Sequence, residues 1–117
     1  GRIYPWGNEF SDGACNLNDT GIGGTTAVGL FPAGDAACGA ADTVGNVWEW
    51  CQTRWLPHYA GYEYNVSEDL TGSERRVLRG GAFYNSRHLL RCASRNFYAA
   101  PTNRYSSIGF RVVCEKV

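Results

Sequence analysis

Two stretches decide how this chain folds: Asp42-Thr43-Val44-Gly45-Asn46-Val47-Trp48-Glu49-Trp50 and Arg76-Val77-Leu78-Arg79-Gly80-Gly81. Within residues 44–50, Val47, Trp48 and Trp50 are β-favouring apolar residues in partial alternation, which predicts a strand. Residues 76–79 predict a second short strand, stopped at Gly80 and Gly81 by backbone that leaves no room for a side chain. Phe110-Arg111-Val112-Val113-Cys114 predicts a last strand. No helical period is sustained; the nearest, through Arg87, Leu90, Arg91 and Ser94, is not extended by Ala93 and Asn96. Turn residues such as Asp12-Gly13, Asn18-Asp19, Gly23-Gly24 and Gly34-Asp35 make residues 1–41 loop, and residues 56–73 are polar and turn-rich. The expected product is one domain, residues 1–117, of short antiparallel strands with much irregular loop. Aromatic burial holds such a domain, and Trp6, Trp48, Trp50 and Trp55 are core candidates able to bury roughly 150–250 Å2 each.

Composition narrows the function. The 117 residues suit a single core. Eleven Lys+Arg balance 11 Asp+Glu, and a nucleic-acid binder normally carries a basic excess to displace counterions, so no nucleic-acid partner is expected. No apolar stretch approaches the ~20 residues that span a bilayer, so no direct membrane insertion is expected. The N-terminal GRIYPWGNEF lacks the charged-then-apolar pattern of an export signal, which is expected to have been removed or never present. Cys15, Cys38, Cys51, Cys92 and Cys114 form an odd set without a CxxC pair, which reads as free thiols packing as small apolar residues, with one internal disulfide as the alternative.

In chain order, Arg2-Ile3-Tyr4-Pro5-Trp6-Gly7-Asn8, Gly21-Ile22-Gly23, Thr25-Thr26-Ala27-Val28-Gly29-Leu30-Phe31-Pro32, the two stretches above, Arg91-Cys92-Ala93-Ser94-Arg95 and Ile108-Gly109-Phe110-Arg111 together resemble the formylglycine-generating enzyme (sulfatase-modifying factor) domain. The resemblance runs from Arg2 to about Val113 and implies an α+β, C-type-lectin-like fold. The family domain usually begins well upstream of the YPWG segment, so the chain is expected to be a truncated version or the C-terminal piece of a longer domain.

Family members that make formylglycine use two cysteines shortly after the Gly-Gly pair, where copper binds to soft thiolates. Here Ala82-Phe83-Tyr84-Asn85-Ser86-Arg87-His88-Leu89-Leu90 holds no Cys. No copper and no enzyme activity are therefore expected. Iron-dependent sulfoxide synthases also use the fold, but they need a separate helical iron-binding domain.

The family further includes the variable proteins of diversity-generating retroelements, in which template adenines are copied with errors and Asn codons diversify. An Asn codon changed at its adenines cannot become Lys, Glu, Gln, Met or Trp, and residues 82–107 contain none of these types. Arg87, Leu90 to Ala93, Arg95, Pro101, Arg104 and Ile108 to Arg111 form the expected fixed frame. Between them lie the candidate ligand-binding positions: Tyr84, Asn85, Ser86, His88, Leu89, Ser94, Asn96, Phe97, Tyr98, Ala99, Thr102, Asn103, Tyr105, Ser106 and Ser107. Tyr, Ser, Asn and His are what adaptable binding surfaces favour. The resemblance thus implies a non-catalytic module displaying a diversified surface to a protein or cell-surface partner. Its location would be a cell surface or virion. The alternative is a formylglycine-generating-enzyme-like domain or pseudo-enzyme fragment, cytoplasmic in that case.

Arg87, Arg91, Arg95, Arg104 and Arg111 are expected to anchor long loops through carboxylates and backbone carbonyls, with Glu49 as one partner. Asp42, Gly45, Val47 and Glu49 match calcium-ligand positions of the family: two carboxylates and two backbone carbonyls, hard oxygen donors suited to Ca2+. Leu90, Ala93, Ile108 and Phe110 are expected to be buried.

Overall fold

A computed structural model describes residues 1–62, 71–96 and 100–116. Four short strands form one sheet in the order β3-β2-β1-β4: β1 (Trp48–Arg54), β2 (Arg76–Arg79), β3 (Arg95–Asn96) and β4 (Ile108–Gly109). β1 and β2 are antiparallel, with Glu49 opposite Arg79 and Trp50 opposite Leu78. β2 and β3 are also antiparallel, with Leu78 opposite Asn96. β4 runs parallel to β1, Trp48 beside Ile108, which corrects the expectation of antiparallel pairing throughout. The chain between them is long enough for the crossover that a parallel pair requires. Three 3-10 turns, Asn18–Thr20, Pro32–Gly34 and Arg87–Leu89, punctuate the loops.

β1 starts at Trp48 rather than Val44 because Gly45 (φ 78°) and Asn46 (φ 67°) form a left-handed turn ahead of it. A Cβ on Gly45 would lie 2.5 Å from the Asn16 carbonyl oxygen, and one on Gly81 (φ +75°) would lie 2.4 Å from Leu90 Cδ2. The Gly80-Gly81 stop after β2 is thus a packing requirement.

Two apolar clusters make the core. Cys15, Leu17, Val44 and Leu90 form one, covered by Trp6 and Phe10. Trp48, Leu78 and Ala82 form the other, covered by Trp50 and Ile108. Tyr4 and Trp6 stack at 5.4 Å beside the first cluster. Of the four tryptophans, Trp48 is fully buried while Trp6, Trp50 and Trp55 are half-buried.

Polar side chains do what sheet ladders do elsewhere. Asn16 is fully buried, and its Nδ2 donates to the Gly24 carbonyl at 2.8 Å. Asn46 Oδ1 accepts from the Thr26 amide at 2.9 Å, and Asn46 Nδ2 donates to the Thr26 carbonyl at 3.2 Å. Three of the five expected arginines, Arg91, Arg95 and Arg111, anchor loops through carbonyls or a carboxylate. Arg111 forks onto Glu49 (2.6 and 2.5 Å) and donates to the carbonyls of Ala41 and Asp42. Arg95 donates to the carbonyls of Leu56 and Pro57 while its guanidinium lies over Trp55 and Tyr59. Arg91 reaches the His88 carbonyl, Arg87 lies over Phe10, and Arg104 is exposed without such a bond among the described residues.

The expected frame holds only in part. Leu90 is buried and Ile108 half-buried, but Ala93 is exposed, and so is Phe110 at 76%. The C-terminal strand accounts for Phe110: only Ile108 and Gly109 pair, and residues 110–116 leave the ladder. Arg111 ties the departing chain to the 41–42 turn, away from the sheet. Ala93 sits in a turn whose carbonyls Arg79 grips from outside the core. Phe110→Ala should therefore change stability by less than about 1 kcal/mol, whereas Leu90→Ala should cost about 2–5 kcal/mol, read from urea melts.

All five cysteines are free. Burial, with the charge of Asp42 adding, pushes the Cys15 thiol up to about 11. A thiol in the unfolded chain ionises near its ordinary value, while Cys15 in the fold keeps its proton. Stability from this group is complete below the ordinary thiol range and falls as pH rises towards about 11. The stability loss between pH 8.5 and 11, from melts along that range, should be shallower in Cys15→Ala.

Candidate ligand-binding site

Side chains alternate along a strand, so the register decides which residues share a face. Asn96, Leu78 and Trp50 stand opposite one another across three strands, and Trp48 stands beside Ile108. The row places Asn96, Leu78, Trp48 and Ile108 on one face, and Glu49 and Arg79 on the other. On the first face lies a pocket of about 290 Å3 lined by Trp48, Leu78, Tyr84, Asn96, Tyr105, Ser107 and Ile108.

Leu78 and Trp48 supply buried apolar wall, and Trp48 is only 3% exposed. Its indole Nε1 is buried without a hydrogen-bond partner among the described residues. An unsatisfied buried donor costs roughly 1–3 kcal/mol, so such a group needs a reason. Tyr84 (53% exposed) and Tyr105 (57% exposed) stand at the rim with their rings open to solvent. Phe83 meets Tyr84 edge-on at 5.6 Å. Ser107 is buried, and its carbonyl accepts the Trp48 amide at 2.7 Å, fixing the rim to β1. The arrangement suits a ligand with a flat or apolar body held between aromatic rings.

Four of the expected ligand positions meet here: Tyr84, Asn96, Tyr105 and Ser107. Ser86, His88 and Leu89 are exposed on and beside the Arg87–Leu89 turn but do not line the pocket, and Thr102 and Ser106 are exposed outside it. Ser94 is half-buried and gives its carbonyl to Arg79. Asn103 is half-buried because its Oδ1 caps the Ala100 amide at 2.6 Å. Asn85 is a correction: it is buried, with Oδ1 accepting the Ala82 amide at 2.8 Å and its carbonyl accepting the Asn18 amide. It serves the scaffold and is not a surface contact. Phe97, Tyr98 and Ala99 lie outside the described residues. Trp48, Leu78 and Ile108 were missed as site residues because a buried apolar residue in a strand reads as core. Only the unpaired indole, a feature of three-dimensional packing, marks Trp48 out.

The proposed calcium ligands sit together but are already engaged. Asp42, Val47 and Glu49 line a cavity of about 180 Å3 with Val28, Asn46, Phe110 and Arg111. Both Glu49 oxygens bond Arg111, one Asp42 oxygen accepts the Gly29 amide at 2.7 Å, and the Gly45 carbonyl accepts the Val47 amide. Calcium takes six to eight oxygen ligands, and here both Glu49 oxygens already face a positive charge. The residues as arranged do not fit Ca2+, because the Arg111 guanidinium is already the cation of the site. Hydrogen bonding to Glu49 raises the Arg111 pKa still further, so the guanidinium stays charged. Among the described residues no cluster of three or more His, Cys, Asp or Glu is placed to hold a metal ion.

Comparison with known proteins gives the family. Residues 1–116 match the sulfatase-modifying factor enzyme 1-like domain. The chain belongs to that family. It is 39% identical over 104 residues to the hercynine oxygenase of Mycobacterium tuberculosis, covering 82% of this chain and 23% of that protein. It is 28% identical over 130 residues to the formylglycine-generating enzyme of Mus musculus, covering 97% of this chain and 34% of that one. Variable protein 1 of Treponema denticola superposes with a TM-score of 0.72 at 24% identity, over 94% of this chain and 40% of that chain, and shows the same fold. The chain thus spans about a quarter to a third of the length of these two curated relatives.

These relatives overturn the expectation that the chain is not an enzyme: both are named for reactions, an oxygenase and a formylglycine generator. The missing cysteine pair excludes one set of copper ligands in residues 82–90, and it was extended too far. A family whose relatives include an oxygenase has more than one chemistry, and this chain matches only part of their length.

Millimolar Ca2+ against a chelator should leave the melting temperature of the sulfatase-modifying-factor-like domain unchanged, since mass action needs a vacant site. Arg111→Ala should lower stability by loss of the Glu49 fork and should make the melt calcium-responsive.

Proposed function

We propose that the pocket crossing the four strands is the ligand-recognition site of this domain, with residues 82–107 supplying its variable rim. The observation that carries the proposal is a pocket walled by buried Trp48 and Leu78, reaching all four strands, and rimmed by two exposed tyrosines. The rim composition, drawn from residue types reachable from Asn codons, supports the finer reading of a diversified binding surface that faces a protein or cell-surface partner. Wall and rim divide the labour: Trp48 and Leu78 are packed scaffold, while Tyr84 and Tyr105 are free to change identity without opening the core.

The 39% identity to a hercynine oxygenase favours a second reading of the same pocket, as the substrate-recognising part of an oxygenase-type enzyme. In that reading the rim selects the substrate and the reacting centre is contributed by other parts of the protein.

Both readings are tested with one variant set. Tyr84→Ala and Tyr105→Ala should each change stability by less than about 1 kcal/mol, while Trp48→Ala should cost about 3–5 kcal/mol. A screen of small molecules and displayed peptides, with hercynine included, should yield ligands that Tyr84→Ala or Tyr105→Ala weakens about tenfold or more, as truncation of an aromatic hot spot does. Hercynine among them selects the enzyme reading; peptides alone select the display reading. Tyrosine variants as destabilising as Trp48→Ala would make the rim core and end the proposal.

A further inference from the structure

On the opposite side of β2, away from the four-strand pocket, lies a cleft of about 320 Å3, lined by Pro5, Ala36, Thr43, Val44, Arg79, Gly80, Arg91 and Cys92. Its lining holds two guanidinium groups and no carboxylate. Arg79 spends a single nitrogen, Nη1, on the carbonyls of Cys92, Ala93 and Ser94 at 3.4, 3.1 and 3.1 Å. Its Nε and Nη2 have no partner among the described residues. Among the described residues Arg91 uses only Nε, on the His88 carbonyl at 3.1 Å, so both of its terminal nitrogens remain. No ion pair involves either arginine among the described residues. Thr43 adds a hydroxyl that is buried and likewise unpartnered.

Two other arginines spend far more of their donors: Arg111 on a carboxylate and two carbonyls, Arg95 on two carbonyls and two rings. The cleft is where guanidinium donors gather and are left over. With no carboxylate in the lining, a ligand bringing negative charge offers both guanidinium groups an ion-pair partner and the hydroxyl an acceptor. Pro5, Ala36 and Val44 add apolar surface, which suits a ligand whose charged group is carried on an apolar stem.

We propose that this cleft is a second binding site, for an oxyanion-bearing small molecule, carboxylate or phosphate, held by Arg79, Arg91 and Thr43. Arg79 is already positioned by the 92–94 turn, so its free edge is presented rigidly. Arg91, exposed and held at Nε, closes on the anion from the rim.

The test uses inorganic phosphate and benzoate as probes, titrated calorimetrically into the whole chain at low ionic strength, where charge–charge attraction is least screened. Saturable binding of either probe is expected: phosphate alone identifies a tetrahedral headgroup, benzoate alone an apolar carboxylate, and both the shared oxyanion chemistry. Arg91→Gln, an exposed change that should leave folding intact, should weaken binding roughly tenfold or more, the worth of a charge-assisted hydrogen bond. Thr43→Val, equal in shape, should weaken it several-fold, and Lys116→Gln, which removes an exposed cation outside the cleft, should not. Absence of saturable binding by both probes overturns the proposal. So does binding that survives both Arg91→Gln and Thr43→Val, or that falls equally with Lys116→Gln.

Discussion

Asn46 is held at φ 67°, buried, and bonded through its side chain to the 24–26 segment that no strand reaches. Its own amide donates to the Asn16 carbonyl, and its carbonyl accepts the Phe83 amide. One residue therefore joins the N-terminal loops, the turn before β1 and the segment after β2. A chain so poor in regular structure has many backbone groups to satisfy, and buried unpaired ones are too costly to keep. Asparagine, with two donors and an acceptor, suits the inside of such a structure; arginine, with five donors, suits its outside. Asn16 and Asn46 hold the loops from within, and Arg79, Arg95 and Arg111 hold them from the surface.

This division explains how a rigid pocket coexists with a loose-looking chain. The pocket wall rests on Trp48 and Leu78, locked in a cluster with Ala82, and Ser107 is pinned to the Trp48 amide. Its rim residues, Tyr84 and Tyr105, bear on nothing that the core needs. Asn85 lies one position from Tyr84 in sequence yet belongs wholly to the scaffold, since its side chain closes the turn from Ala82. Adjacent residues in this segment thus have opposite duties, and alternation of exposure along the turn separates them.

How much could be read from residues alone follows the same line. Strand β2 and its Gly-Gly stop were legible, because Arg76 to Arg79 is a β-favouring run and Gly81 has no space for a Cβ. The arginine anchors, including the Glu49 partner, were legible from the donor count of guanidinium. The last strand was not: Phe110, Val112 and Val113 carry the composition of a strand, but composition cannot show whether a neighbour is present to pair with. The calcium positions show the same gap between spacing and contact. Their spacing matches a donor set, while Arg111 arrives there from more than 60 residues away. Asn85 was misplaced because an Asn in a polar loop looks the same whether its side chain faces solvent or caps a buried amide. Trp48 was recognised as core and missed as a site residue, since both roles ask for the same burial.

The alternation of β1 links these features. Trp48 and Trp50 go to the pocket face, and Glu49 between them goes to the other, where it holds Arg111. A one-residue slip would set Glu49 against Leu78 and Ile108 and turn Trp48 towards Arg111, exchanging a buried indole for a buried carboxylate without its partner. The cost of that exchange fixes the register strongly, though only two residue pairs join β1 to β4. The same register brings the Trp48 indole to the pocket and, through Arg79 opposite Glu49, carries a guanidinium to the far face where the anion cleft opens. One strand's phase therefore sets the chemistry of both sides of the sheet, apolar with a single donor on one and cationic on the other.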